Sequence, residues 1–173
     1  EGVSPYNAAS LLSFYRGRGG KTLWVDSKGI TPQAQQALEV LSHAAEEGLN
    51  PNDYKPALIA KVSSQSGEAA QATLEVLLSQ SLLRYVNDLR YGRDSAERRE
   101  TYGTYAKKLA STDVLARIAS SPADKVAPLL ASFAPPFPHY EALRKELRRY
   151  RTIEALGGIP QLTFYRLLQL NNN

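Results

Sequence analysis

"TPQAQQALEVLSHAAEEGLNP", residues 31–51, is the stretch whose reading decides the fold. Thr31 followed by Pro32 is a helix start: a side-chain oxygen to cap free amides, then a proline whose missing N–H costs nothing in the first turn. Ala34, Ala37, Leu38, Leu41, Ala44 and Ala45 recur at helical spacing, so the pattern predicts one helix over residues 31–48. Gly48 supplies the left-handed stop, Leu49 can fold back on the last turn as a Schellman ending requires, and Asn50-Pro51 prevents continuation.

The same periodicity extends in both directions. Residues 67–91 carry Leu74, Leu77, Leu78, Leu82, Tyr85 and Leu89 in one broad apolar stripe, with Val76 and Leu83 on the other side, which predicts a long central helix closed by Gly92. Upstream, Ser4-Pro5 with Ala8, Leu11, Leu12 and Tyr15 predicts a first helix ended by Gly17, Gly19 and Gly20. Leu23-Trp24-Val25 is too short for a sheet and is expected to run extended, with the Trp24 indole as a core plug.

Downstream, residues 94–108 read as a polar surface excursion that Tyr102 and Tyr105 could pin down. Short helices are expected from Thr112 to Ser120 and from Pro122 to about Phe133, and then Pro135-Pro136-Phe137-Pro138 forms a rigid connector. A last helix from His139 to Leu156 sets Tyr140, Leu143, Leu147 and Tyr150 on one face and Lys145 and Arg149 roughly opposite. No apolar alternation of strand length and no fixed-period repeat occur, so the fold class is all-α, a single irregular helical domain over residues 1–160 with one long central helix and short extended segments. The tail, 161–173, is apolar enough from 162 to 170 to dock as a strand or short helix.

A chain of 173 residues is long enough for one domain with one core, and 43% hydrophobic with 22% charged residues is a globular balance. The chain has no cysteine, which excludes disulfides, thiolate metal sites and cysteine nucleophiles. It has no methionine either, so it is expected to begin after a processing site or another boundary, and no apolar run reaches bilayer length. With 21 Lys and Arg against 17 Asp and Glu and a pI of about 9.3, the surface leans towards anionic partners.

Several motifs invite a chemical reading. Gly20-Lys21-Thr22 matches the close of a phosphate-binding loop, but that loop also needs glycine at position 15, where Tyr15 stands, and a strand before it and a helix after it. Here the order is reversed. The Arg-Gly-Arg-Gly-Gly run is single and flanked by apolar residues, unlike the repeated disordered RNA-binding boxes, so it reads as a turn. Glu46 and Glu47 point about 100° apart on a helix and cannot share one bond as acid and base. Asp53 nearby reads as a turn cap. His43 and His139 have no carboxylate at ligand spacing and read as surface side chains, so no metal site and no cofactor is expected. The strongest electrostatic feature is basic: Arg144, Lys145, Arg148, Arg149 and Arg151, with Arg84, Arg90, Arg93, Arg98 and Arg99 as a second group, partly neutralised by pairs such as Glu141 with Lys145.

Four stretches in order, "FYRGRGGKTLWV", "GITPQAQQALEVLSHAAEEGLNPNDY", "LLRYVNDLRYGR" and "APPFPHYEALRKELRRYRTI", resemble successive landmarks of the scaffold domain of the large multidomain L,D-transpeptidases, the bacterial peptidoglycan crosslinking enzymes. The resemblance runs from about residue 8 to 160. The most specific pieces lead to Leu23-Trp24, turn the corner from Gly48 to Tyr54, and end the long helix from Arg84 to Arg93. It implies structural roles for Trp24, Gly48, Tyr54, Tyr85, Gly92 and Tyr140.

In that family the scaffold precedes a peptidoglycan-binding module and a cysteine-dependent catalytic domain, and carries no catalytic residue itself. Gly157-Gly158-Ile159-Pro160 resembles the start of the linker to the next module, and the Ser-x-Gly-Cys pattern is absent. The implied role is a non-catalytic scaffold or adaptor in the periplasm or bacterial cell envelope. Its expected partner is peptidoglycan or an envelope protein such as a transpeptidase catalytic domain, with Arg90, Arg93, Arg144 and Arg148 as the binding candidates. Nucleic acid is not the expected partner; a basic helical nucleic-acid-binding protein is the alternative reading, and it would show steep salt dependence.

Overall fold

A computed structural model describes residues 5–93 and 109–158. Helix α1 (Pro5–Gly17) leads through a turn to a minimal hairpin of β1 (Val25–Asp26) and β2 (Gly29–Ile30), antiparallel with Val25 opposite Ile30. Helix α2 (Pro32–Ser42) follows, then two single-turn 3-10 segments, Ala44–Glu47 and Pro51–Tyr54. Helices α3 (Pro56–Ser63), α4 (Glu68–Tyr91), α5 (Ser111–Ser120), α6 (Ala123–Ala131) and α7 (Pro138–Ala155) complete the order. The fold is all-α, with one two-stranded ribbon among the described residues. The expected excursion at 94–108, with Tyr102, Tyr105, Arg98 and Arg99, and the tail at 161–173 lie outside the described residues.

The chain divides into two compact units, Glu1–Pro136 and Phe137–Asn173. In the first, α4 is the axis: α1, α2, α3, α5 and β1 all pack on it, while α2 lies against α6 and α1 against α5. The predicted stripe of α4 is buried, and from Leu74 onward so are Leu83, Val86, Glu75, Ser79, Ser81 and Asp88, because this part of the helix is packed on several sides. Leu78, Leu82, Leu115, Ile118, Val126 and Leu130 are without solvent exposure, and Trp24 and Tyr54 are the largest side chains wholly enclosed.

The predicted helix 31–48 is in fact broken at His43. Thr31 caps as expected, its Oγ1 accepting from the Ala34 amide at 3.2 Å. At the other end the Glu39 carbonyl is shared: the Ser42 hydroxyl donates to it at 2.7 Å, the His43 amide at 3.1 Å, and the His43 ring nitrogen lies at 2.9 Å. Side chains competing for a helix carbonyl loosen the ladder, and the chain tightens into a 3-10 turn. The ending itself is as predicted: Gly48 is left-handed (φ 77°, ψ 8°), Leu49 N–H reaches Ala44 O at 3.1 Å, and Leu49 is buried. Helix α3 is an element the periodicity left out; its eight residues bury only Ile59 and Val62, too few repeats to announce a stripe.

The second unit contains α7, which begins one residue before the predicted start and ends one before the predicted end. None of its residues is buried, and Leu143 and Tyr150, both on the predicted apolar face, are exposed.

Candidate functional site

Two polar knots on α4 and the basic helix α7 hold the chemistry of this chain. The first knot closes the Gly-Lys-Thr stretch. The turn at residues 17–20 ends α1, with Gly20 N–H bonding back to Tyr15 O at 2.9 Å and Gly19 at φ 63°. The chain then straightens, and three consecutive amides converge on one carboxylate. Glu75 Oε1 accepts from Trp24 N at 2.6 Å, Val25 N at 2.9 Å and Leu23 N at 3.0 Å, and Oε2 accepts from the Tyr15 hydroxyl at 2.7 Å.

One turn further along α4, Ser79 Oγ accepts from the Trp24 indole N–H at 2.8 Å and lies 3.0 Å from Tyr15 Oη. The amides of the loop itself bond back into the turn, Gly19 N to Arg16 O at 3.0 Å, Gly20 N to Tyr15 O at 2.9 Å and Lys21 N to Arg18 O at 3.3 Å, and the three that follow it are taken by Glu75, which is why the motif reads as a turn. Burial, reinforced by the Glu75 carboxylate, holds the Tyr15 phenol well above its usual range, while the Ser79 hydrogen bond pulls the other way.

The second knot joins the corner at residues 48–54 to the last turns of α4. Tyr54 donates to Asp88 Oδ2 at 3.2 Å in the interior and meets the Tyr85 ring edge-on, centroids 5.6 Å apart. Burial first, and then the Asp88 charge, keep the Tyr54 phenol protonated well past its ordinary titration. Arg84 Nε lies 3.7 Å from the same Asp88 oxygen. Asp53 does not cap the turn, contrary to expectation. Asn50 does, its Oδ1 accepting from Asn52 N at 3.1 Å, and Asp53 instead pairs with Arg93 at 2.8 Å. A side chain can satisfy either a local amide or a distant cation, and the end of α4 brings Arg93 within reach.

The sequence-predicted residues therefore sort by unit. Tyr54, Tyr85, Gly92 and Arg93 come together at this corner, with Gly92 at φ 75° turning the chain as its amide closes on Asp88 O at 2.9 Å. Arg90 is half-buried with its guanidinium 5.8 Å from the Tyr91 ring centroid, and the Tyr91 hydroxyl accepts from Leu109 N at 3.0 Å. Glu75, Ser79 and Asp88 were missed by sequence reasoning. The available signal was polar residues set inside a stripe that buries both neighbours, as Leu74, Glu75 and Leu77 do.

A family model described as "Scaffold domain" matches residues 9–147, most of the chain, from within α1 to within α7. The chain belongs to the scaffold-domain family. This is the family to which the four sequence landmarks pointed, the scaffold domain of the L,D-transpeptidases. No curated protein and no solved structure matches the chain significantly.

For this scaffold domain the knots explain the landmarks. The aromatic-Arg-Gly to Leu-Trp stretch sets its amides on Glu75, and the corner and the helix end meet through Tyr54 with Asp88 and Asp53 with Arg93. The remaining candidates of the scaffold domain, Arg144 and Arg148, stand one turn apart on α7. Arg144 lies 3.8 Å from Glu141, so the acid expected to neutralise Lys145 engages the residue before it, and Arg149 pairs with Glu146 at 3.4 Å. Tyr140, expected to be structural, is half-exposed on the same helix. Among the described residues no helix is long and apolar enough to cross a membrane.

Proposed function

We propose that this scaffold domain is a non-catalytic scaffold or adaptor in bacterial peptidoglycan maturation, working in the periplasm by holding wall polymer or an envelope protein such as a transpeptidase catalytic domain. The family match across residues 9–147 carries this reading. The side-chain chemistry agrees with it. The buried carboxylates Glu75 and Asp88 bind the domain's own amides and tyrosines, so they are spent on holding the frame rather than poised towards a substrate. Arg144 and Arg148 on α7 are the proposed polar contacts, with Arg90 and Arg93 at the end of α4 as a second set; Arg93 already serves Asp53.

The test is co-sedimentation of the purified chain with peptidoglycan sacculi across a salt series, with a parallel titration against an L,D-transpeptidase catalytic domain. The expected result is retention that weakens with salt and with Arg144→Glu plus Arg148→Glu, and no release of muropeptides. A chain that stays in the supernatant at every salt concentration and also ignores the catalytic domain refutes the reading.

A further inference from the structure

The run from Arg16 to Lys21 is a turn by its backbone, but the fold does not account for its charges. Gly19 N bonds to Arg16 O at 3.0 Å and Lys21 N to Arg18 O at 3.3 Å, so Arg16, Arg18 and Lys21 all leave one short turn of chain at the end of α1. Among the described residues none of the three makes an ion pair, whereas Arg84, Arg93, Arg144 and Arg149 each meet a carboxylate. No acid occurs in the sequence from residue 5 to residue 25. Glu75, the acid this segment does reach, is buried, with its oxygens given to the amides of residues 23–25 and to Tyr15.

The turn is also open to approach. Arg16 and Lys21 are exposed, and so are Gly17, Gly19 and Gly20. Arg18 is held in place: its Nε donates to Lys21 O at 3.3 Å, its Nη2 to Thr22 O at 3.1 Å, and its guanidinium carbon lies 5.4 Å from the Phe14 ring centroid. The remaining N–H groups of that fork are left for a ligand, in a position already fixed. Gly17 is a separate observation. It is the only described glycine outside the positive-φ region, and a Cβ there would meet nothing within 4 Å, so neither backbone nor packing calls for glycine. Its effect is to leave the chain between Arg16 and Arg18 bare, where another molecule can come close to the backbone.

We propose that this turn is a contact for the carboxylates of the wall polymer, with Arg18 as the fixed fork and Arg16 and Lys21 as flanking charges. This rests on the adaptor reading and names a surface and a chemistry for it. Other partners lack what they need here. Single-stranded nucleic acid stacks its bases on aromatic rings, yet Phe14 and Trp24 are buried and Tyr15 is committed to Glu75 and Ser79. An anionic lipid surface takes in apolar side chains, and Phe14 and Leu23 on either side of the turn are buried. For the same reason the turn offers no apolar centre for a folded protein partner. A carboxylate-bearing strand needs only charge and room.

The test compares retention of the whole chain on peptidoglycan sacculi at low salt. Arg16→Gln with Lys21→Gln should weaken retention on the order of threefold to tenfold. Lys28→Gln with Lys61→Gln removes the same charge from two other exposed lysines of the first unit and should leave retention nearly unchanged. Gly17→Gln should weaken retention by covering the bare backbone, even though glutamine favours a helix more than glycine does; that combination separates a contact from a structural role. Far-UV circular dichroism and Trp24 emission should stay unchanged in every variant. Converting the sacculus carboxylates to amides should erase the difference between the wild-type chain and Arg16→Gln with Lys21→Gln.

Equal losses from the two double substitutions, indifference to Arg16→Gln with Lys21→Gln, or undiminished retention on amidated sacculi overturns the proposal. So does binding of single-stranded RNA or phosphatidylglycerol vesicles through Arg16 and Lys21 in place of sacculi. A chain that is retained but ignores the turn substitutions loses this inference and keeps the adaptor reading. A chain that is not retained loses this inference, and the titration against the catalytic domain then decides the adaptor reading.

Discussion

Replacing Glu75 tests the central physical claim about this domain, that one buried carboxylate fastens the chain after α1 to the axis helix. In Glu75→Ala the amides of Leu23, Trp24 and Val25 lose their acceptor, while the Tyr15 hydroxyl keeps Ser79 Oγ at 3.0 Å. Each buried donor left unsatisfied costs about 1–3 kcal/mol, reduced where water enters the space vacated by the side chain. Three such amides with partial rescue give a loss of about 3–7 kcal/mol, a large part of the roughly 5–15 kcal/mol that holds a domain together.

Glu75→Gln should behave differently. Its carbonyl oxygen can take the place of Oε1, which serves all three amides, and its NH2 then faces Tyr15 Oη, which can rotate to accept. The loss is then confined to charge assistance, about 1–3 kcal/mol. The assay is urea unfolding followed by Trp24 fluorescence. Trp24 is the single tryptophan, fully enclosed and bonded to Ser79, so its emission reports this contact directly. Amide hydrogen exchange at residues 23–25 provides a local check. If Glu75→Ala lowers stability by less than about 1 kcal/mol with an unchanged urea slope, the carboxylate is not the anchor and the reasoning is wrong.

Two further outcomes are expected. Tyr15 and Tyr54 both hold their protons more tightly in the folded chain than in the unfolded one, so their stabilisation is complete below about pH 10 and is lost as pH rises from there; Tyr54→Phe should flatten the alkaline limb of a stability–pH curve, and an unaltered limb would show that burial does not hold that proton. Gly48→Ala forces a side chain into φ 77° and should lower the unfolding free energy by about 1–2 kcal/mol in thermal or urea melts, whereas no change would mean that the corner relaxes to another geometry.

Function was legible only coarsely. The four landmarks carried the family, and the match over residues 9–147 agrees with them, but partner chemistry is not written in any one of them. A basic run such as residues 144–151 looks alike in sequence whether its helix is half-covered or open, since the periodicity that marks a buried face also marks a docking face. The structure leaves Leu143 and Tyr150 of α7 exposed.

Local rules by themselves determined the all-α class, the Thr31 cap, the Gly48 stop and the buried stripe of α4, because each depends on residues within a few positions of one another. Tertiary structure alone decided that Glu75 binds the amides of residues 23–25 and that Asp53 pairs with Arg93 instead of capping its own turn. The physical reason is reach: Glu75 and Trp24 are separated by 51 residues, and no periodicity in the chain records which polar group will be waiting when the helices close.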